Sequence, residues 1–104
     1  MQRAGISINQ YGKVQDIQVY VEIRHGFLGD LSIELIAPQG LSVLLQGRTL
    51  GRQTQLRKTY TFETTPALSL FMNQGIHGRW QLKVMDHTET HQGELSQWLL
   101  RLGV

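Results

Sequence analysis

The sequence contains no cysteine, which excludes a disulfide framework, a thiol nucleophile and a cysteine-based zinc site. It also has no apolar run long enough to span a membrane as a helix. Acidic and basic residues nearly balance, with a net charge of +2. Because phosphate binding requires a concentrated basic face, we expect neither nucleic acid nor a membrane as a partner.

Catalytic signatures are missing as well. None of the five serines stands in a Gly-x-Ser-x-Gly elbow, and no Gly-rich phosphate loop occurs. These absences argue against an enzyme and against a bound cofactor. With 104 residues, of which 40% are hydrophobic and 17% charged, the chain has the composition of one folded domain rather than a disordered segment.

Apolar and polar residues alternate along much of the chain, as they do in half-buried strands. The clearest runs are residues 17–23, 31–35, 41–45, 80–84 and 98–102, and weaker strands are predicted at 6–8, 59–62 and 68–71. The second and third runs flank a Pro-Gly turn at residues 37–40 and so predict a hairpin. Leu95 is out of phase with the last run, which predicts a bulge or an entry turn. Seven or eight short strands indicate an all-β sandwich or barrel.

Residues 47–58 are predicted to form one long polar loop that carries the basic cluster Arg48, Arg52, Arg57 and Lys58. The cluster could bind an acidic partner. We favour a solvated loop whose charges prevent unwanted strand pairing, because the cluster lacks interleaved aromatic residues.

Three histidines near two strand ends suggest a metal site. His77, His87 and His91 could act together with Asp86 and Glu89. His87 and His91 are four residues apart, but in a polar loop rather than on a helix, so they lack a shared face. An exposed polar turn is the favoured interpretation, and we expect no metal ligands here.

Four short motifs follow one another between residues 25 and 100: His-x-x-x-Gly-Asp-Leu, Leu-x-Ala-Pro-x-Gly, Gly-x-Trp-x-Leu-x-Val-x-Asp and Gly-x-Leu-x-x-Trp-x-Leu. Their characteristic residues are His25, Gly29, Asp30, Pro38, Gly40, Gly78, Trp80, Asp86, Gly93 and Trp98. Each motif alone is weak. Together and in this order they resemble the P domain (P/Homo B domain) of proprotein convertases and secreted bacterial subtilisin-like proteases.

The resemblance implies a jelly-roll β-sandwich of the galactose-binding-like type. It also implies a non-catalytic accessory role, in which the domain packs against a peptidase catalytic domain in the same polypeptide, stabilises it and assists substrate engagement. We expect residues 1–104 to be a single domain from a larger secreted or cell-surface bacterial protein, and a monomer in isolation. The alternative is a carbohydrate- or matrix-binding module, for which Tyr20 is the best candidate for an exposed aromatic residue.

The chain departs from the family in the loop after the third strand. Bacterial relatives often carry Asp and Asn there, where carboxylates could hold calcium. Residues 47–55 contain two arginines and no carboxylate, and a hard cation prefers anionic oxygens. We therefore expect no calcium in this loop.

Two strands are predicted to end with polar side chains that point towards the core. The inward phase of residues 17–23 continues to His25, and that of residues 80–84 continues to Asp86. Because buried polar groups need partners, we expect a carboxylate, Asp30 or Asp86, to hold His25 as a structural lock. The same phases place Trp80 and Trp98 inside, as anchors of the two sheets.

Overall fold

The structure is a computed structural model, and it describes residues 2–26, 28–87 and 93–104. The strands are β1 (Gln2–Ile8), β2 (Asp16–His25), β3 (Leu31–Ile36), β4 (Ser42–Gln46), β5 (Gln55–Tyr60), β6 (Gly78–Asp86) and β7 (Gly93–Gly103). Two short 3-10 helices, η1 (Leu28–Asp30) and η2 (Pro66–Phe71), complete the regular structure of these ranges. Among the described residues, no helix has the length and apolar character needed to cross a membrane.

The strands form two antiparallel sheets. The four-stranded sheet has the order β1-β6-β3-β4, and the three-stranded sheet has the order β5-β2-β7. Neighbouring strands in both sheets come from distant parts of the sequence, except for the β3–β4 hairpin across the predicted turn at residues 37–40. The prediction of an all-β sandwich is therefore confirmed.

The inner faces of the two sheets form one hydrophobic core. Alternate residues of β2 (Ile17, Val19, Val21 and Ile23) are almost fully buried, and so are alternate residues of β6 (Trp80, Leu82 and Val84). The apolar residues that alternate in the sequence therefore form the inner face of each sheet, and the two inner faces pack together. Burying each large aliphatic side chain contributes about 1.5–3 kcal/mol, so the alternation determines which face of each strand points inward.

The predicted bulge near Leu95 is confirmed. On β2, Glu22 pairs with Gln97 and the next residue, Ile23, pairs with Leu95. Ser96 is therefore the extra residue on β7. The bulge returns Leu95 to the inner face, where it packs against the core with Trp98.

The prediction of a strand at residues 68–71 is wrong, because this segment lies in η2. Pro66 occupies the first turn of the helix, where a residue without an amide hydrogen is tolerated. Leu68 and Phe71 are both fully buried, and their spacing of three matches the 3-10 period, in which residues i and i+3 are aligned. Leu68 and Leu70 alternate with Ser69 as they would in a strand, which explains the error.

The extent of the polar loop was also mispredicted. Residues 47–54 connect the strands, but Gln55 begins β5, which pairs with β2 along residues 19–24. Arg57 and Lys58 therefore lie on an edge strand rather than in a loop. At the other end, β5 stops at Tyr60, two residues short of the prediction. Polar residues flank Leu56 on both sides, because an edge strand is largely exposed. The segment therefore lacks the alternation of apolar and polar residues that predicts a strand.

Candidate functional site

His25 connects the two sheets at one end of the sandwich. Its ring, at the end of β2, is almost buried, and its Nε2 lies 2.9 Å from Oδ2 of Asp86 at the end of β6. The side chains are 4% and 20% exposed, respectively. The expected contact between His25 and a carboxylate is thus present, with Asp86 as the partner. Its role as a structural lock stays a prediction.

Asp30, the other carboxylate considered for His25, lies in η1 and faces the loop after β4. Its Oδ1 is 3.9 Å from Nη2 of Arg48, and its backbone carbonyl accepts the amide hydrogen of His87. Next to it, the Gly29 amide donates to the carbonyl of Gly51 at 2.8 Å. Asp30 and Gly29 therefore help to join the β2–β3 connection to the loop after β4.

The second and third sequence motifs meet at a tight contact between Pro38 and Gly78. Gly78 has φ +125°, and a Cβ added there would lie 2.7 Å from Cβ of Pro38. Gly40, in the hairpin turn, has φ +98°, and its amide donates to the Ala37 carbonyl. Both glycines adopt backbone angles that other residues rarely do. Of these two glycines, Gly78 is the one at which glycine is required for space as well as for angle.

The two tryptophans differ in burial. Trp80 is fully buried, its Nε1 donates to the Ile76 carbonyl at 2.9 Å, and its ring meets Phe71 edge-to-face with centroids 5.4 Å apart. Trp98 on β7 lies opposite Val21 on β2 and is half-buried at the margin of the core. Trp80 is thus the central aromatic residue of the core, whereas Trp98 covers one side of it. Gly93 begins β7, where its backbone pairs with that of His25.

The outer face of the three-stranded sheet carries an exposed patch, here called the Tyr20 patch and formed by Tyr20, Thr59 and Leu99. Tyr20 in the central strand lies directly opposite Thr59 on one side and Leu99 on the other. Leu99 is 53% exposed. Leu99 was not among the predicted site residues. It is an apolar residue on the polar phase of β7, and this mismatch is the sequence signal that could have identified it.

Charged groups border the Tyr20 patch. The Nε atom of Arg57 lies 3.0 Å from a carboxylate oxygen of Glu22. Burial and then the negative charge of Glu22 raise the pKa of Tyr20, while the positive charge of Arg57 opposes this rise. An apolar and aromatic centre with a polar margin is the usual arrangement of a protein-binding surface.

The predicted basic cluster is divided among three environments. Arg48 faces Asp30 and Arg57 pairs with Glu22. The ammonium group of Lys58 lies 5.0 Å from the centroid of the Tyr60 ring. Lys58 shares the inward phase of an edge strand with Tyr60, and a charge there discourages pairing with a strand of another chain.

The candidate metal ligands do not converge in the described part of the chain. Nε2 of His87 lies 2.9 Å from the Ser32 hydroxyl, while the His77 ring stacks on Tyr11 in a different loop. His91 and Glu89 lie outside the described residues. Within those described, no group of three or more histidines or carboxylates is placed to hold a metal ion.

The loop after β4 is the segment in which a calcium site was considered from the sequence, and its composition is basic. Arg48 and Arg52 lie in that loop, and residues 47–55 contain no carboxylate. Neutral oxygens beside two guanidinium groups do not fit a hard divalent cation. The residues present in this loop therefore do not fit a calcium ion.

One aromatic prediction is wrong. The alternation of β2 predicts Tyr20 as the best exposed aromatic residue, but Tyr20 is half-buried within its sheet. Tyr11, in the loop between β1 and β2, is 79% exposed. Loop residues carry no alternation that predicts exposure, so only the packing of that loop reveals which ring is open to solvent.

Known proteins match this chain over most of its length. The calcium-dependent protease of Trichormus variabilis is 28% identical over 101 residues, which cover 94% of this chain and 15% of that protease. The microbial serine proteinase of Aeromonas salmonicida is 36% identical over 94 residues, which cover 81% of this chain and 15% of that proteinase. The chain thus spans less than a fifth of the length of these relatives.

Comparison with solved structures supports the fold. A crystal structure of the serine protease of Aeromonas sobria aligns with 96% of this chain and 22% of its own, with a TM-score of 0.73 and 21% sequence identity. At that identity the similarity speaks for the fold alone. The family profile of the proprotein convertase P-domain matches residues 14–102. The sequence match and the β-sandwich agree, and this chain belongs to the proprotein convertase P-domain family.

Proposed function

We propose that this chain is the non-catalytic accessory domain of a secreted bacterial serine endopeptidase. In this proposal residues 1–104 form one domain of a larger polypeptide, pack against its catalytic domain, stabilise it and assist substrate engagement. The relatives support this, because they carry protease names and this chain spans only 15% of two of them. In each relative, most of the polypeptide lies outside the region that matches this chain, and in this proposal the catalytic domain that the accessory domain contacts lies there.

The Tyr20 patch is the observation that carries the proposal. Leu99 exposes 53% of its surface beside the aromatic ring of Tyr20 at the middle of a sheet. The Glu22–Arg57 ion pair lies at its edge with a separation of 3.0 Å. Burial of the apolar centre against a neighbouring domain would stabilise both domains, while the charged edge would fix their orientation.

The opposite face of the sandwich supplies a matched control. Leu44 is 52% exposed and lies opposite Glu34 on the outer side of the four-stranded sheet. Leu99→Gln and Leu44→Gln therefore make the same chemical change at the same exposure on opposite faces. In the isolated domain both changes should alter stability by less than about 0.5 kcal/mol, as surface substitutions usually do.

The experiment compares both variants in the full-length peptidase that contains this domain. Leu99→Gln should shorten the half-life of thermal inactivation severalfold, while Leu44→Gln should leave it near the wild-type value. Equal effects of the two substitutions would contradict docking through the Tyr20 patch. If deletion of residues 14–102 left both the yield and the thermal stability of the peptidase unchanged, the accessory function itself would be wrong.

A further inference from the structure

Tyr11 presents one open aromatic face at an end of the sandwich. Its ring is parallel to that of His77, with an interplanar angle of 4° and centroids 4.2 Å apart. Tyr11 is nevertheless 79% exposed. Because one face of the phenol lies on the imidazole, the opposite face is the one directed to solvent. The core does not require this ring, whose stacking only fixes its orientation.

The loops that hold the two rings are joined by backbone hydrogen bonds. Lys13 and Gly75 form an isolated antiparallel bridge. The Ile76 amide donates to the Gly12 carbonyl at 3.0 Å, and the Val14 amide donates to the Gln74 carbonyl at 2.9 Å. Tyr11 and His77 are therefore held on a connected framework. A ring held in this way loses little conformational entropy when a ligand binds to it.

The loops at this end of the sandwich, including the two that carry the aromatic pair, are rich in side-chain amides. Three of the segments at this end, residues 9–15, 38–40 and 72–77, contain Asn9, Gln10, Gln15, Gln39, Asn73 and Gln74. The same segments contain no carboxylate, and Lys13 and His77 are their only basic residues. Each amide both donates and accepts hydrogen bonds without carrying charge. This chemistry matches a ligand with many hydroxyl groups and no charge.

Two of these amides are already held in place by bonds to the framework. Nε2 of Gln39 donates to the Gly75 carbonyl at 3.1 Å, and Nε2 of Gln15 donates to Oδ1 of Asn73 at 3.0 Å. An amide nitrogen has two hydrogens and an amide oxygen accepts two bonds, so each of these groups keeps capacity for another partner. The amides are thus oriented without being saturated.

From this arrangement we propose that Tyr11, His77 and the surrounding amides form a binding site for a neutral carbohydrate. The C–H face of a pyranose ring would stack on the open face of Tyr11, and its hydroxyl groups would bond with the amides. The site is separate from the Tyr20 patch, because it lies in loops at the sandwich end rather than on a sheet face. The inference therefore does not depend on the proposed docking function.

The test measures binding of the 104-residue chain to insoluble cellulose and chitin and to a soluble neutral glucan. Tyr11→Ala should weaken binding by about tenfold or more, the effect expected when a central aromatic contact is removed. Tyr11→Phe keeps the stacking face and should retain most of the binding. Leu70→Ala is the matched control. Leu70 is also exposed but lies on η2, outside the proposed site, so its removal should have no effect on binding.

The structure makes an unfolding artefact easy to exclude. Since Tyr11 is 79% exposed, Tyr11→Ala should keep the wild-type thermal midpoint and circular dichroism spectrum. Failure of the wild-type chain to bind any of the three probes would overturn the proposal. Binding that survives in Tyr11→Ala would place the site elsewhere. If Tyr11→Ala lowered only the thermal stability of the full-length peptidase, the ring would be a domain contact, which also contradicts the proposal.

Discussion

His25 and Asp86 are 61 residues apart in the sequence, yet their side chains meet at 2.9 Å. One ends β2 in the three-stranded sheet, and the other ends β6 in the four-stranded sheet. The hydrogen bond therefore joins the two layers of the sandwich, where the core gives way to solvent. Removal of either partner takes a bond from a nearly buried group, and we expect this to cost more than the bond itself contributes.

Replacing His25 or Asp86 with alanine should lower the free energy of unfolding by about 1–3 kcal/mol each. The double variant should lose clearly less than the sum of the single changes, with a coupling energy of about 0.5–3 kcal/mol. Urea denaturation of the four proteins measures this cycle. Ser32→Ala is the control, since its 2.9 Å contact with His87 is exposed, and it should cost much less. Strict additivity would mean that the pair is not a structural lock.

The two tryptophans should respond differently to the same substitution. Trp80→Phe leaves the Ile76 carbonyl without its 2.9 Å indole donor inside the core, so we expect a loss of about 1–3 kcal/mol, with a further cost for the cavity. Trp98 is only half-buried, and Trp98→Phe should cost less than about 1 kcal/mol. Chemical denaturation followed by far-ultraviolet circular dichroism compares the two. A larger loss for Trp98→Phe would contradict the arrangement of the core.

Alanine at Gly78 should be more harmful than alanine at Gly40. Both glycines have positive φ, +125° and +98°, and a side chain in this region costs about 1–2 kcal/mol. Only at Gly78 would the new Cβ also collide with Pro38, at 2.7 Å, since the space at Gly40 is open. The thermal midpoint of Gly78→Ala should therefore fall well below that of Gly40→Ala. Similar midpoints would show that the turn can shift away from β6.

Alkaline unfolding should involve Tyr60. Burial raises the pKa of its phenol well above the ordinary value of 10.0. Above pH 10.0 the unfolded chain loses this proton while the folded protein keeps it, so stability falls by about 1.4 kcal/mol per pH unit. Below that pH the contribution is fully present. Titration of unfolding between neutral and strongly alkaline pH measures the slope.

Tyr60→Phe provides the control for the alkaline slope. The variant loses the 3.0 Å hydrogen bond to Oε1 of Gln46, and should therefore be about 1 kcal/mol less stable at neutral pH. Its stability should nevertheless decline less steeply above pH 10.0, because the buried phenol is gone. Tyr20→Phe should change the slope less, since Tyr20 is only half-buried. An unchanged slope in Tyr60→Phe would assign the alkaline transition to other groups.

The local alternation of apolar and polar residues was sufficient to predict which residues lie on the inner faces of the sheets. Alternation places Ile17, Val19 and Val21 inside because successive side chains of a strand point to opposite faces. The Pro-Gly turn and the bulge beside Leu95 were predictable for the same kind of reason, since each interrupts a local period. Sequence motifs also identified the family, because short spacings between characteristic residues do not depend on knowing the fold.

Edges, loops and exposed surfaces were the places where prediction failed. β5 is polar on both sides of Leu56, and its identity as a strand depends on pairing with β2, 30 or more residues earlier in the sequence. In η2, the alternation of Leu68, Ser69 and Leu70 fits a strand, whereas the burial of Leu68 and Phe71 follows the 3-10 period. Local periodicity carries no information about partners that are distant in the sequence.

The sequence by itself determined the β class, the core-facing residues and the position of His25 and Asp86 at the ends of inward-facing strands. Only the tertiary structure decided that Asp86, rather than Asp30, is the residue at 2.9 Å from His25. It also decided that Leu99 lies beside Tyr20 and that Tyr11 stacks on His77. The physical reason is the same in each case. A strand's period determines which way a side chain points, whereas its neighbour depends on how the sheets and loops pack together.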